Sequence, residues 1–158
     1  MDEKKFMMSK RFNKSLPEDF GLTYTANPSE FLRVSDCSKW IKRELYDLGW
    51  GRENGFYRLP LPSFEELVSI VMSSEDEENV YGAASIILDD FTNELLLFCR
   101  KILENKSVNK EHIRFYSVLI LDKPINRSST VGKDFSSVMK DYELWADISR
   151  QVEKLKSK

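Results

Sequence analysis

Residues 75–103, EDEENVYGAASIILDDFTNELLLFCRKIL, decide how this chain is read. Val80, Ala83, Ala84, Ile87, Leu88 and Phe91 recur at three- and four-residue steps, which places them in one stripe of a helix of 3.6 residues per turn. Leu95, Phe98, Cys99 and Ile102 repeat the pattern after a break at Thr92-Asn93. Gly82, Ala83 and Ala84 keep the first of these two helices slim, so the spacing predicts a second helix packed closely against it. The stretch argues for helix-on-helix packing and carries no catalytic signature.

Working outward, the same pattern returns. Ser63-Phe64-Glu65-Glu66 matches a capping box, in which serine and glutamate each satisfy an orphan backbone N–H. It opens a helix with Phe64, Leu67, Val68 and Val71 on its buried side, ending at Ser73-Ser74. Asp36 reads as the cap of a helix over 37–48, with Cys37, Trp40, Ile41, Leu45 and Leu48 inward and Gly49 as its stop. Residues 56–62 read as an extended connection, because Pro60 and Pro62 forbid a helix and discourage a central strand. Residues 109–121 read as helix, with a buried strand over 113–121 as the alternative. The last helix spans 134–156, where Phe135, Val138, Met139, Tyr142, Trp145, Ile148, Val152 and Leu155 form its apolar face. With helices at 77–91 and 93–105 this makes about six. The expected fold is all-α, either a helical repeat of the α-solenoid kind or an irregular bundle. One domain over 1–158 is expected, with 1–28 a weakly structured, basic N-terminal arm. Residues 64–91 and 93–121 would be two repeats with a period near thirty.

Composition fits this picture. The 158 residues are 41% hydrophobic and 32% charged, as in an ordinary globular chain. A net charge of −2 excludes a general electrostatic nucleic-acid binder. No apolar run is long enough for a signal peptide or a membrane span, so a cytoplasmic protein with no membrane partner is expected. Cys37 and Cys99, each on an apolar stripe and in no metal-ligand spacing, read as buried free thiols.

Enzyme signatures fail one by one. His112 is the single histidine and lies in no HExxH or HxH context. No GxSxG elbow is present. Gly132-Lys133 has the form of a phosphate-loop pair, but Arg127 stands where that loop needs glycine, and Asp134 where it needs a hydroxyl. Arg127 and Lys133 nonetheless flank a hydroxyl-rich loop before a helix N-terminus, where an anion would fit. Paired carboxylates at Asp89-Asp90 and within Glu75–Glu78 lack the histidine or cysteine of a transition-metal site and form no EF-hand. No catalytic residue, cofactor or metal is expected.

The remaining signal is charge. Glu75, Asp76, Glu77, Glu78, Asp89, Asp90 and Glu94 are seven acidic residues in a stretch with no basic one. Capping explains one or two of them, so the seven are candidate partner-binding residues, suited to speeding the encounter with a basic protein.

The run Asn79-Val80-Tyr81-Gly82-Ala83-Ala84-Ser85-Ile86-Ile87-Leu88, followed by Leu95-Leu96, resembles HEAT-like helical segments of small bacterial immunity proteins. The tail Asp122-Lys123-Pro124-Ile125-Asn126-Arg127-Ser128-Ser129, with Gly132-Lys133 and Asp141-Tyr142…Trp145, is similar to their closing segment. The likeness covers about half of the chain and carries no functional residue across. It implies a stoichiometric inhibitor that covers or distorts a cognate toxin domain. A non-catalytic adaptor or regulatory scaffold is the alternative, and an enzyme using Asp89, Asp90 or His112 the third reading.

Overall fold

A computed structural model describes residues 3–8, 16–45 and 53–158. It overturns the all-α expectation. Among these residues are five α-helices, about half of the chain, and a five-stranded antiparallel sheet. The strands are β1 (Phe6–Met8), β2 (Leu22–Tyr24), β3 (Glu30–Arg33), β4 (Lys39–Leu45) and β5 (Glu53–Arg58). The helices are α1 (Phe64–Ser73), α2 (Glu77–Asp90), α3 (Thr92–Glu104), α4 (Lys110–Val118) and α5 (Phe135–Lys156). Neither solenoid nor helical bundle describes this chain. It divides into two compact units, residues 1–86 and 87–158, with the boundary inside α2.

In the first unit β2 to β5 form a meander, and β1 adds to the outer edge of β5, giving the order β1-β5-β4-β3-β2. Residues directly opposite in this register share a face. Met7, Phe56, Trp40, Phe31 and Leu22 lie on one face and make a buried cluster with Phe20 against it. Phe56 takes Phe20 and Phe31 edge-on at 5.1 and 5.3 Å. Phe6, Met8 and Leu45 are buried on the opposite face. Both sides of the sheet are therefore covered at its β1–β5–β4 end.

The 37–48 helix is thus a strand, and the physical reason is local. The Asp36 carboxylate accepts from the backbone N–H and hydroxyl of Ser38, closing a turn rather than capping a helix. Cys37 sits in that turn at φ 58° and is exposed, so the expected buried thiol at 37 is corrected as well. Residues 46–52, including Leu48 and Gly49, lie outside the described residues. Beyond the turn, Trp40 and Leu45 point to opposite faces of β4, and both are fully buried. Trp40, Ile41 and Leu45 fit one broad helix face at steps of one and four, but in the strand Trp40 takes one face and Ile41 and Leu45 the other. Residues 53–58 are a central strand because Pro60 and Pro62 lie beyond its last residue, where they remove no ladder hydrogen bond.

Gly82 shows what its small size is for. A Cβ placed there would run into the Phe6 ring, so the close neighbour of α2 at this point is a ring from β1, not a helix. The α1 capping box is present: the Ser63 hydroxyl accepts from Glu66 N–H, and Glu66 accepts from Ser63 N–H at 2.8 Å.

The second unit is helical. α5 packs on α3 and α4 through Trp145, Ile148 and Val152, all buried. Leu95, Cys99, Phe115 and Tyr116 are fully buried in the same unit. The Trp145 indole N–H donates to Ser128 Oγ at 2.9 Å, and the Ser149 hydroxyl to the Asp122 carbonyl at 2.7 Å, which holds the 119–134 connection along the helix. Residues 110–118 are helix, not strand, opened by Asn109 as N-cap.

Candidate interaction surface

The acidic run serves the fold before it serves any partner. Asp76 Oδ1 accepts from the N–H groups of Glu78 and Asn79 and caps α2. Its carboxylate also receives the Lys4 ammonium at 2.8 Å, and Glu78 Oε1 receives the same ammonium at 3.1 Å. Glu78 Oε2 accepts from Met8 N–H at 2.7 Å. Asn79, 2% exposed, accepts from the N–H groups of Lys5 and Phe6 at 2.8 and 3.0 Å and donates to the Glu3 carbonyl at 2.9 Å. The edge of β1 that faces away from β5 is therefore covered by side chains from the start of α2. An exposed strand edge is a template for unwanted pairing, and here it is capped.

Burial raises the Asp76 carboxyl, but the Lys4 ammonium and the two N–H donors outweigh it and hold it below the ordinary aspartate value. A group depressed in the folded state stabilises fully above its unfolded value, and that stability is lost as pH falls through the folded value. Acidification from neutral to about pH 3 is therefore expected to loosen β1. Amide exchange at Phe6 and Met8 should accelerate over that range, and the Asp76→Asn variant should flatten the response. Exchange rates following only the intrinsic pH dependence would contradict this.

Of the seven candidate acidic residues, Asp76 and Glu78 have these internal partners. Glu75 and Glu77 are exposed beside them. Asp89 and Asp90 are exposed in the last turn of α2, where the negative end of the helix dipole disfavours carboxylates, and Glu94 is exposed in the first turn of α3. The seven do not form one compact patch, because α2 puts its two acidic groups at opposite ends.

His112 is half-buried and structural. Its Nδ1 accepts from Asn109 N–H, completing the cap of α4. In the loop before α5, the Arg127 guanidinium donates to the Ile120 carbonyl at 2.6 Å, and the Lys133 ammonium meets Asp141 at 2.6 Å. Both cations of the anion-site reading are thus engaged within the chain. Among the described residues no group of three histidine, cysteine, aspartate or glutamate side chains has metal-binding geometry. Burial pushes the Cys99 thiol up to about 12, so it stays protonated and poorly nucleophilic at neutral pH.

The surface that sequence reasoning missed is on α5. Phe135, Met139 and Tyr142, read as part of one buried stripe, are 80%, 39% and 41% exposed, and Val131 just before them is 87% exposed. At roughly 100° per residue, these three helical positions share one azimuth, about a third of a turn from Trp145, Ile148 and Val152. Glu153 continues the outer azimuth, so the apolar stripe is confined to the first two turns. Asp134 accepts from Ser137 N–H at 2.8 Å and caps this end, and that N–H holds its carboxyl below the usual range. Lys140 and Glu143 are exposed around the stripe. An apolar patch inside a polar rim is the common form of a protein-binding surface, and tyrosine is among the residues enriched at energetic centres. The signal was present in the sequence as two stripes of different phase, merged into one by three- and four-residue stepping.

Comparison with protein-family models, with curated proteins and with solved structures gave no match. No helix among the described residues is long and apolar enough to cross a membrane.

Proposed function

We propose that this chain works by stoichiometric association with another protein, as an immunity (antitoxin-like) protein that neutralises a cognate bacterial toxin domain in the cytoplasm. The observation that carries the reading is the apolar stripe of Phe135, Met139 and Tyr142, held out on a capped helix whose other face is locked by Trp145, with exposed Val131 in the turn just before it. A rigid helix bearing two aromatic anchors loses little conformational entropy on docking. A stable complex needs roughly 800 Å² buried on each partner, so the stripe is the centre of a contact that extends onto neighbouring surface. Glu75, Glu77, Asp89, Asp90, Glu94 and Glu143 act on encounter rate with a basic partner more than on the final affinity.

The test is co-expression with each protein encoded beside this chain in its genome, scored first for toxicity and then for rescue. Growth is expected to be rescued by the wild-type chain, and a one-to-one complex to survive gel filtration. Binding without rescue, or binding to a metabolic or structural protein instead, would favour the adaptor reading.

A further inference from the structure

A half-open groove of about 490 Å³ lies in the 87–158 unit, where the C-terminal ends of α3 and α5 come together. Its apolar lining is Leu103, Val108 and Leu155, and its charged lining is Lys106, Lys154 and Lys158. The volume falls in the roughly 300–1,000 Å³ range of small-molecule sites.

The charges are not spent on ion pairs. Glu104, next to this groove in sequence, pairs with Arg100 at 3.7 Å, and Asp122 takes Lys156 at 3.1 Å. Among the described residues, Lys106, Lys154 and Lys158 make no ion pair. Two helix C-termini offset only part of this charge, since each carries roughly half a negative charge against three full positive ones. Lys106 follows the α3 C-cap at φ 50°, in the left-handed region where glycine is the favoured residue.

The lining also selects the ligand's chemistry. Lysine offers donors and no acceptor. The Gln151 amide N–H₂ already donates to Asp147 at 2.8 Å, leaving its carbonyl as the side-chain acceptor in the groove. A peptide backbone finds acceptors in that carbonyl and in the last carbonyls of α3 and α5, but leaves three ammonium groups without a countercharge. No aromatic ring lines the groove, so a nucleobase has nothing to stack on. An acceptor-only head on an aliphatic chain is served on both sides. We infer that this groove binds a small aliphatic anion, with a carboxylate head on the lysines and its chain on Leu103, Val108 and Leu155. The site is independent of the α5 stripe and of the toxin reading.

Calorimetric titration of the full chain with sodium decanoate below its micelle threshold tests this. Saturable one-to-one binding is expected, with butyrate and inorganic phosphate about tenfold weaker or worse. Lys106→Gly relieves the strained φ and should raise the thermal midpoint while weakening decanoate about tenfold. Lys154→Gln and Val108→Asn should also weaken it, with circular dichroism unchanged. Equal binding of phosphate and decanoate, or unchanged affinity in Lys106→Gly and Lys154→Gln, would overturn the site. Binding to anionic vesicles with none to monomeric decanoate would overturn it in favour of a membrane surface.

Discussion

Replacing Asn79 with alanine is expected to destabilise the 1–86 unit by about 3 kcal/mol, the cost of stranding two backbone donors and one acceptor near the core. Asn79 is the single side chain that accepts from both Lys5 and Phe6 N–H and donates to the Glu3 carbonyl. The Phe6 ring is fully buried beside Gly82, so loss of β1 also removes an aromatic from the core. Asn79→Asp keeps the acceptor but loses the donor and adds a charge near Asp76 and Glu78, so it should fall between wild type and Asn79→Ala. Urea unfolding read by circular dichroism gives the size of the effect, and amide exchange at Phe6 gives its location. A loss below about 1 kcal/mol, with Phe6 still protected, would show that the β5 pairing holds β1 without the clamp.

The second large effect concerns binding rather than stability. Phe135→Asp combined with Tyr142→Asp is expected to weaken the proposed complex at least about a hundredfold, as for the loss of two aromatic anchors at an interface centre. Phe135 is 80% exposed, so folding stability should change little. Trp145→Ala is the contrasting variant: Trp145 is 2% exposed and donates to Ser128, so it should unfold the 87–158 unit before it affects any contact. Surface plasmon resonance on the two sets of variants, beside their thermal midpoints, separates the two roles. If Phe135→Asp/Tyr142→Asp binds like wild type, the stripe is not the contact.

The helical part of this fold was legible from residue 63 onward. The Ser63 capping box and the Val80–Phe91 stripe are local signals, and local signals survive without tertiary context. The sheet was not legible for a reason that Trp40 and Leu45 make plain. Trp40, Ile41 and Leu45 fit one broad helix face as readily as the two faces of a strand, and only pairing with β3 and β5 decides. β1 is harder still. Phe6-Met7-Met8 shows no alternation because both faces of that strand are buried, and its outer edge is satisfied by side chains seventy or more residues away. The same long-range contact explains the acidic run. Four carboxylates exceeded what capping needs, and the excess at Asp76 and Glu78 goes to Lys4 and Met8. The outer stripe of α5 was hidden by its own hydrophobicity, since apolar periodicity alone does not distinguish a buried face from one that awaits a partner.

The most direct test of association through α5 is a hydrogen-exchange footprint of the chain, free and in complex with the protein partner that co-purifies with it. The account predicts that protection appears across residues 131–142 and leaves the amides of Phe6 and Met8 unchanged. A complex in which 131–142 exchanges as fast as in the free chain, with protection confined elsewhere, would contradict it.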